Sequence, residues 1–163
     1  MLYHVNERKD IKVGMRAVEI ARERIPQLKL IMFGAYPKPQ ELPEWITYYQ
    51  KPTDEKHLEI NNKAAIYVGC SRIEGWGLTI GEAMLCGQAV VCTDNDGYKE
   101  MAIDGLNALM SPICDAEALA KNIVRLVNDD NLRYKLAHNG LQSIKKFDFE
   151  KSYTMFRDYI IPK

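Results

Sequence analysis

The amino-acid sequence predicts an α/β fold, in which a parallel sheet of about six strands is covered by helices on both faces. Apolar runs of strand length alternate with amphipathic segments of helix length along all 163 residues. Several of these runs are apolar at every position, which is typical of strands buried on both faces of a parallel sheet. No internal repeat, low-complexity tract or linker interrupts the alternation, so we expect one domain over residues 1–163.

The first half of the chain begins with a strand at Leu2–Val5 and a helix at Asp10–Arg24. The helix is predicted because apolar side chains recur on one face at intervals of three or four residues. The proline-rich segment Tyr36–Pro43 predicts a loop. The other elements of this half are the strands Leu28–Phe33, Ile46–Tyr49 and Ala65–Cys70 and the helix Asp54–Asn62.

Turn residues divide the second half into shorter elements. Gly87 ends a helix that begins near Thr79, and Asp115 is a suitable N-cap for a later helix. Turns are predicted at Asp94–Gly97 and at Asp104-Gly105. The strands are Ala89–Thr93 and Ala108–Met110, and the helices are Thr79–Cys86, Lys99–Ile103, Asp115–Asn128, Asn131–Lys146 and Glu150–Ile160.

The composition argues against two kinds of site. The net charge is zero, with basic residues concentrated near both ends, whereas a nucleic-acid site needs one dense basic face. These basic ends fit solvated helix faces better than an anionic membrane surface, and peripheral membrane association stays open as the alternative. The four cysteines lack metal-binding spacing and the three histidines are scattered, so we expect reduced thiols and no metal site.

Nothing in the sequence predicts a membrane span or a secretion signal. The longest apolar runs are far shorter than the roughly 20 residues that cross a bilayer. The first residues show no signal-peptide pattern, because charged side chains follow Val5 almost at once. We therefore expect a cytoplasmic protein.

The segment Glu74–Glu82 is the most informative part of the sequence, because it combines two carboxylates, a glycine–aromatic–glycine turn and a helix start. A carboxylate can accept hydrogen bonds from sugar hydroxyls, and the free N–H groups at a helix start can hold a phosphate. These are the groups needed to bind a nucleotide-sugar. The segment follows a predicted strand, as do Lys9, Gly34 and Asp94–Gly97, so all of them should meet at the carboxyl edge of the sheet.

Each of these features also has a structural alternative. Thr79 and Glu82 are spaced as a capping box, in which the glutamate would reach back to the cap N–H. The turn Gly75–Gly77 could serve only to place an aromatic side chain in the core. Arg8 and Lys9 could be a solvated helix start, but cations are unfavourable at that position, which indicates a bound anion.

Other residues near this segment narrow the choice of function. Gly81 inside a helix costs about 1 kcal/mol relative to alanine, which indicates that another group approaches the backbone closely. Gly69–Ile73 is similar to the nucleophile elbow of a hydrolase but lacks its last glycine, so Ser71 is expected to be an ordinary strand-end residue. The dinucleotide fingerprint and the P-loop are also missing.

The ordered series of motifs resembles the C-terminal domain of retaining GT-B-fold glycosyltransferases of the glycosyl transferase group 1 family. Ser71–Leu78, followed by Glu82-Ala83-Met84 and Gly87, is similar to the family signature with its paired glutamates. The similarity continues through Gly97 to the aromatic segment Phe147–Phe156. It covers essentially the whole chain and implies a Rossmann-like parallel sheet, the C-terminal half of a GT-B fold.

The resemblance implies a role for each matching residue. Lys9 would hold the diphosphate and Glu74 the hydroxyls of the donor sugar, and these two are the expected catalytic residues. Glu82 would bind the ribose of the nucleotide. The other expected donor-binding residues are Arg8, Gly75, Trp76, Gly77, Leu78 and Thr79.

The chain departs from the family pattern close to the expected diphosphate site. The family usually has an arginine near the position of Tyr3 or His4, and Arg8 could substitute for it. Asp10 and Asp96 stand where glycines are usual. These departures concern the geometry around the diphosphate more than the fold.

The resemblance also implies the reaction and its partners. A sugar would pass from a nucleoside-diphosphate sugar to an acceptor with retained anomeric configuration, without a cofactor or an obligatory metal. An N-terminal acceptor domain of the same enzyme would be needed and is absent from the sequence, so the isolated domain is expected to be inactive. The alternatives are a non-catalytic interaction or regulatory module on the same fold, or a GT-B epimerase or phosphorylase. The epimerase is less favoured because its chemistry needs ionisable groups that the sequence does not visibly assemble.

Overall fold

A computed structural model describes residues 1–161 of the chain. In this range the protein alternates between helices and parallel strands, as the sequence predicts. The elements are α1 (Ile11–Arg24), β1 (Leu30–Gly34), β2 (Ile46–Gln50), α2 (Asp54–Lys63), β3 (Ile66–Gly69), α3 (Leu78–Leu85), β4 (Ala89–Thr93), α4 (Asp96–Lys99), β5 (Ala108–Ser111), α5 (Ala116–Asn128), α6 (Asp130–Ile144) and α7 (Phe149–Ile160).

All the strand pairs are parallel and form two sheets. β1 pairs with β2, so that Leu30 lies opposite Ile46. The second sheet has the order β3-β4-β5, with Ile66 opposite Ala89. Because consecutive parallel strands need a crossover, helices lie between most of them, and the α/β class is confirmed.

The core lies on both faces of the sheets. β4 is the central strand of its sheet, and its residues are completely buried. Ala89 and Val91 belong to one apolar cluster with α1, α5 and α6, whereas Val90 and Cys92 belong to a second cluster with α3. Since alternate residues of a strand face opposite sides, this division confirms the prediction of helices on both faces.

The predicted strand Leu2–Val5 is reduced to one parallel bridge, between Leu2 and Phe33. The chain then leaves the extended conformation and enters a 3₁₀ helix over Glu7–Lys9. Asn6 caps this helix, because its side chain accepts a hydrogen bond from a backbone N–H in the first turn (2.9 Å). The described residues therefore form five strands, where the sequence predicts about six.

A cavity of about 460 Å³ is lined by residues of both β1 and β3. Each of these strands is hydrogen-bonded to a named strand on one side only, β1 to β2 and β3 to β4. The buried ammonium of Met1 borders the cavity and donates a hydrogen bond to the Ile31 carbonyl (3.0 Å). Burial lowers the pKa of this ammonium to about 5, because the charged form loses its hydration.

The short helix predicted at Lys99–Ile103 lies earlier in the chain, at Asp96–Lys99. The residues Asp94–Gly97 are typical of a turn, but Asn95 acts as an N-cap within it. Its side chain accepts a hydrogen bond from the Tyr98 N–H (3.1 Å), which starts the helix there.

The C-terminal helix α7 buries none of its residues. Phe149 and Tyr153 lie on one face of it, and their rings stack with centroids 6.4 Å apart. The large apolar side chains exposed on this helix are Phe149, Tyr153, Met155, Phe156, Tyr159 and Ile160. The helix predicted here is confirmed, but its apolar face is turned to solvent.

Candidate functional site

Most of the residues that the sequence singles out meet in one cleft at the carboxyl end of β3. The cleft has a volume of about 270 Å³. The residues that line it are Lys9, Glu74, Trp76, Gly77, Leu78 and Thr79. This position agrees with the expectation that ligands bind beyond the carboxyl ends of parallel strands.

Lys9 and Glu74 form an ion pair inside this cleft, although they lie 65 positions apart in sequence. The ammonium nitrogen is 2.7 Å from Oε1 of Glu74 and 2.8 Å from Oε2. The carboxylate is largely buried, with 10% of its side chain exposed, and the lysine side chain is 26% exposed. Each charge therefore has a partner of opposite sign in a site that is largely shielded from solvent.

The β3–α3 loop is tied to the N-terminal segment by backbone contacts. The Arg8 carbonyl accepts hydrogen bonds from the N–H groups of Arg72 (2.7 Å) and Ile73 (3.4 Å). These contacts bring the end of the 3₁₀ helix against the loop that carries Glu74. The Arg8 side chain itself is exposed and does not line the cleft.

Two residues that were not expected among the site residues also hold Glu74. The Ser71 hydroxyl donates a hydrogen bond to Oε1 (2.7 Å), and the Tyr98 hydroxyl lies 3.4 Å from the same oxygen. Ser71 is therefore more than an ordinary strand-end residue. The one signal in the sequence that could have indicated Tyr98 is its position after β4, at the same edge of the sheet as Glu74.

Gly77 and Gly97 allow the close packing of this region. Gly77 has a φ of 85°, and a Cβ added there would lie 2.6 Å from the Tyr98 ring. A Cβ on Gly97 would lie 2.4 Å from the carbonyl oxygen of Glu74. Gly75 is different, because a Cβ there would meet no atom within 4 Å.

The start of α3 differs from the capping box that the sequence suggests. Gly77 is the N-cap, and no side chain caps the first turn. Thr79 is therefore already inside the helix, and Glu82 lies more than a turn from the cap, so the capping alternative is wrong. Glu82 is exposed on α3. The uncapped first turn presents backbone N–H groups at the cleft, where they suit an anion.

Gly81 has a packing explanation. A Cβ at this position would lie 3.0 Å from the sulfur of Met101 and 3.2 Å from a methyl carbon of Ile144. The groups that approach the Gly81 backbone closely are therefore side chains of the protein core. Their close packing against the glycine offsets the free-energy cost of a glycine in the helix.

Asp10 stands where the family usually has glycine, and its backbone shows why. It is the N-cap of α1 and has a φ of 43°, in the left-handed region that favours glycine. Its buried carboxylate accepts a hydrogen bond from Nε of Arg72 (2.6 Å). This contact raises the pKa of the Arg72 guanidinium. The ion pair offsets part of the backbone strain.

Neither a cluster of metal ligands nor a membrane-spanning helix is found in residues 1–161. No group of three or more histidine, cysteine, aspartate or glutamate side chains is arranged to hold a metal ion there. None of the helices in this range is both long enough and apolar enough to cross a bilayer.

The fold is that of the C-terminal domains of GT-B glycosyltransferases. The Anabaena protein Alr3699/HepE, solved in complex with UDP and glucose, superposes with a TM-score of 0.83 at 18% identity, over 98% of this chain and 46% of that chain. The C-terminal domain of a glycosyl transferase group 1 family protein (LpcC) from Francisella tularensis gives a TM-score of 0.76 at 21% identity, over 90% of this chain and 83% of that one. At these identities the similarity shows the fold alone.

The chain belongs to the family of glycosyl transferases group 1, which its sequence matches over residues 1–143. It is 33% identical over 110 residues to the O-antigen chain mannosyltransferase B of Escherichia coli, a match that covers 68% of this chain and 28% of that protein. The chain spans less than half the length of the first curated relatives that it matches.

Proposed function

We propose that the chain is the donor-binding domain of a retaining glycosyltransferase, which moves a sugar from a nucleoside-diphosphate sugar to an acceptor. The observation that carries this proposal is the Lys9–Glu74 ion pair, 2.7 Å long, in a cleft beside the uncapped start of α3. An ammonium and helix N–H groups suit a diphosphate, and a carboxylate suits sugar hydroxyls.

In this proposal the donor replaces one ion pair with two charge-assisted contacts. Lys9 turns from Glu74 to the diphosphate, and Glu74 accepts hydrogen bonds from the sugar. Negative charge develops on the diphosphate as the sugar leaves, and Lys9 with the N–H groups of the α3 start stabilises that charge. Lys9 and Glu74 are thus the catalytic residues.

The remaining residues of the proposed site surround this pair. Trp76, Gly77, Leu78 and Thr79 line the cleft and contact the donor. Arg8, Gly75 and Glu82 are exposed beside it, where they are reachable by a ligand larger than the cleft, and Glu82 takes the ribose. The bound UDP and glucose of the Anabaena neighbour support a nucleotide-sugar as the ligand class.

The complete reaction needs a second domain. An N-terminal domain of the same enzyme supplies the acceptor site and closes over the donor. Alone, this domain binds a nucleotide weakly and turns over little or no substrate.

The proposal is tested by adding UDP, GDP or ADP at millimolar concentration to the ¹⁵N-labelled chain. We expect amide shifts in residues 74–82 for at least one nucleotide, because the cleft borders this segment. Lys9→Met should weaken the binding about tenfold or more, since it removes one charge-assisted contact. Lys12→Met, which removes an exposed lysine early in α1, is the matched control and should change little. Binding that leaves residues 74–82 unperturbed would contradict the proposal, as would no binding at all.

The alternative of a non-catalytic interaction module is favoured by a different observation, the exposed aromatic face of α7. An apolar patch of this kind marks a surface for association. The two functions differ in the nucleotide test: an interaction module needs no nucleotide, and Glu74→Gln would leave its association unchanged.

A further inference from the structure

The carboxylate of Glu74 is held unequally at its two oxygens. Oε1 accepts a hydrogen bond from the Ser71 hydroxyl (2.7 Å) and lies 3.4 Å from the Tyr98 hydroxyl, in addition to its contact with Lys9. Oε2 has Lys9 as its one hydrogen-bond partner among residues 1–161, at 2.8 Å. The protein's own neutral donors hold one oxygen, and only the flexible lysine holds the other.

The two hydroxyls that hold Oε1 are fixed by their surroundings. Ser71 is 4% exposed and Tyr98 is 2% exposed. The hydroxyls lie 3.3 Å apart, so they form a small network with the carboxylate. The Ser71 carbonyl accepts hydrogen bonds from the hydroxyl of Thr93 and the side-chain amide of Asn95. Asn95 also caps the helix that carries Tyr98, so one residue fixes both donors.

The Tyr98 ring packs against the backbone of two glycines, which have no side chain. A Cβ on Gly77 would lie 2.6 Å from the ring, and a Cβ on Gly69 would lie 3.0 Å from the hydroxyl oxygen. Packing therefore decides where the hydroxyl points. The pKa of Tyr98 is raised well above its ordinary value, and burial is the largest cause of this shift. The phenol therefore stays protonated.

We propose that Tyr98 and Ser71 are positioning residues that anchor Oε1 of Glu74 and thereby direct Oε2 to the hydroxyls of the donor sugar. This inference rests on the proposed function of Glu74. When Lys9 turns to the diphosphate, Oε1 keeps its two anchors, whereas Oε2 loses its partner and can accept from the ligand. A carboxylate anchored before binding has less conformational freedom left to lose when the sugar arrives.

The test compares two ligands on the 163-residue chain, the best-binding nucleotide among UDP, GDP and ADP and its glucose conjugate. Tyr98→Phe keeps the packed ring and removes the hydroxyl. We expect the affinity for the nucleotide-glucose to fall about 3- to 10-fold, as for loss of one hydrogen bond to a charged group, while the affinity for the free nucleotide stays within about twofold. Ser71→Ala should act in the same direction.

Tyr48→Phe is the matched control, because the Tyr48 hydroxyl bonds to the Tyr36 carbonyl and not to Glu74. It should leave both affinities unchanged. A double-mutant cycle adds a second readout: in a Glu74→Ala background, Tyr98→Phe should have no further effect on the nucleotide-glucose. A general loss of packing would not give this coupling.

The outcomes separate this inference from the proposed function. If the wild-type chain binds the nucleotide and Tyr98→Phe leaves the glucose conjugate unaffected, the inference alone is overturned. It is also overturned if both ligands weaken equally, or if the effect persists without Glu74. If the wild-type chain binds none of the nucleotides or conjugates, the proposed function fails and the inference fails with it.

Discussion

Lys9 ends the 3₁₀ helix and Glu74 lies on the β3–α3 loop, 65 positions apart, yet their charged groups meet at 2.7 Å. This ion pair holds the Lys9 ammonium beside the largely buried Glu74 carboxylate at the edge of the sheet. A second pair, Asp10 with Arg72, joins the same N-terminal segment to the same loop at 2.6 Å. The geometry of the site thus depends on two ion pairs between one N-terminal segment and one loop, together with the backbone hydrogen bonds of the Arg8 carbonyl.

At the scale of residues, the two glycines of the turn Gly75–Gly77 should respond differently to the same change. Gly77→Ala should lower the free energy of unfolding by about 2–4 kcal/mol, because a left-handed alanine is strained and its Cβ would meet the Tyr98 ring at 2.6 Å. Gly75→Ala, which meets no atom within 4 Å, should change it by less than about 0.5 kcal/mol. Urea unfolding of both variants checks this, and equal effects would contradict it.

At the scale of elements, the start of α3 combines two functions in a short stretch. Gly77 ends the loop in a left-handed conformation and leaves the first turn without a side-chain cap. One turn later, Gly81 lets the same helix pack against Met101 and Ile144. The helix is thus fixed by the core on one side while its N–H groups stay open to the cleft on the other.

The N-terminal segment beside β1 should make the stability of the 163-residue chain depend on pH. Burial lowers the pKa of the Met1 ammonium from 8.0 to about 5, so between these values the unfolded chain binds the extra proton. The free energy of unfolding should therefore rise from pH 5 to pH 8, by up to about 4 kcal/mol, and the gain is lost as the pH falls.

N-terminal acetylation is the control for this pH dependence. It removes the titrating group and keeps an N–H that can donate to the Ile31 carbonyl, and the neighbouring cavity has room for the acetyl group. The difference between the free and the acetylated chain, measured by urea unfolding at several pH values, should be largest near pH 5 and vanish near pH 8. A constant difference would contradict the assignment.

At the scale of the whole molecule, α7 should contribute little to the stability of the domain. Deleting residues 149–163 should change the free energy of unfolding by less than about 1 kcal/mol, because α7 buries none of its residues. Leu136→Ala in α6 is the matched comparison and should cost about 2–5 kcal/mol, since Leu136 is fully buried. Calorimetry of both variants checks this, and a large loss on deletion would show that α7 packs on the core.

The sequence predicted elements best where the local pattern and the tertiary structure agree. α1 and α5 follow their apolar stripes, and β4 follows a continuous apolar run. The predictions were wrong where a single side chain decides the backbone. Asn6 ends the first strand early, and Asn95 starts α4 inside a predicted turn. A cap needs only one hydrogen bond to a nearby N–H, and periodicity carries no information about it.

The sequence by itself determined the α/β class, the membership of the glycosyl transferase group 1 family and the segment around Glu74, because periodicity and ordered motifs are local properties of the chain. Only the tertiary structure decided which groups surround that carboxylate. Lys9 was expected near the same ligand, but its direct pairing with Glu74, and the hydroxyls of Ser71 and Tyr98 on one oxygen, depend on how three segments of the chain meet at one edge of the sheet. Distances between segments far apart in sequence follow from packing, which no local pattern contains.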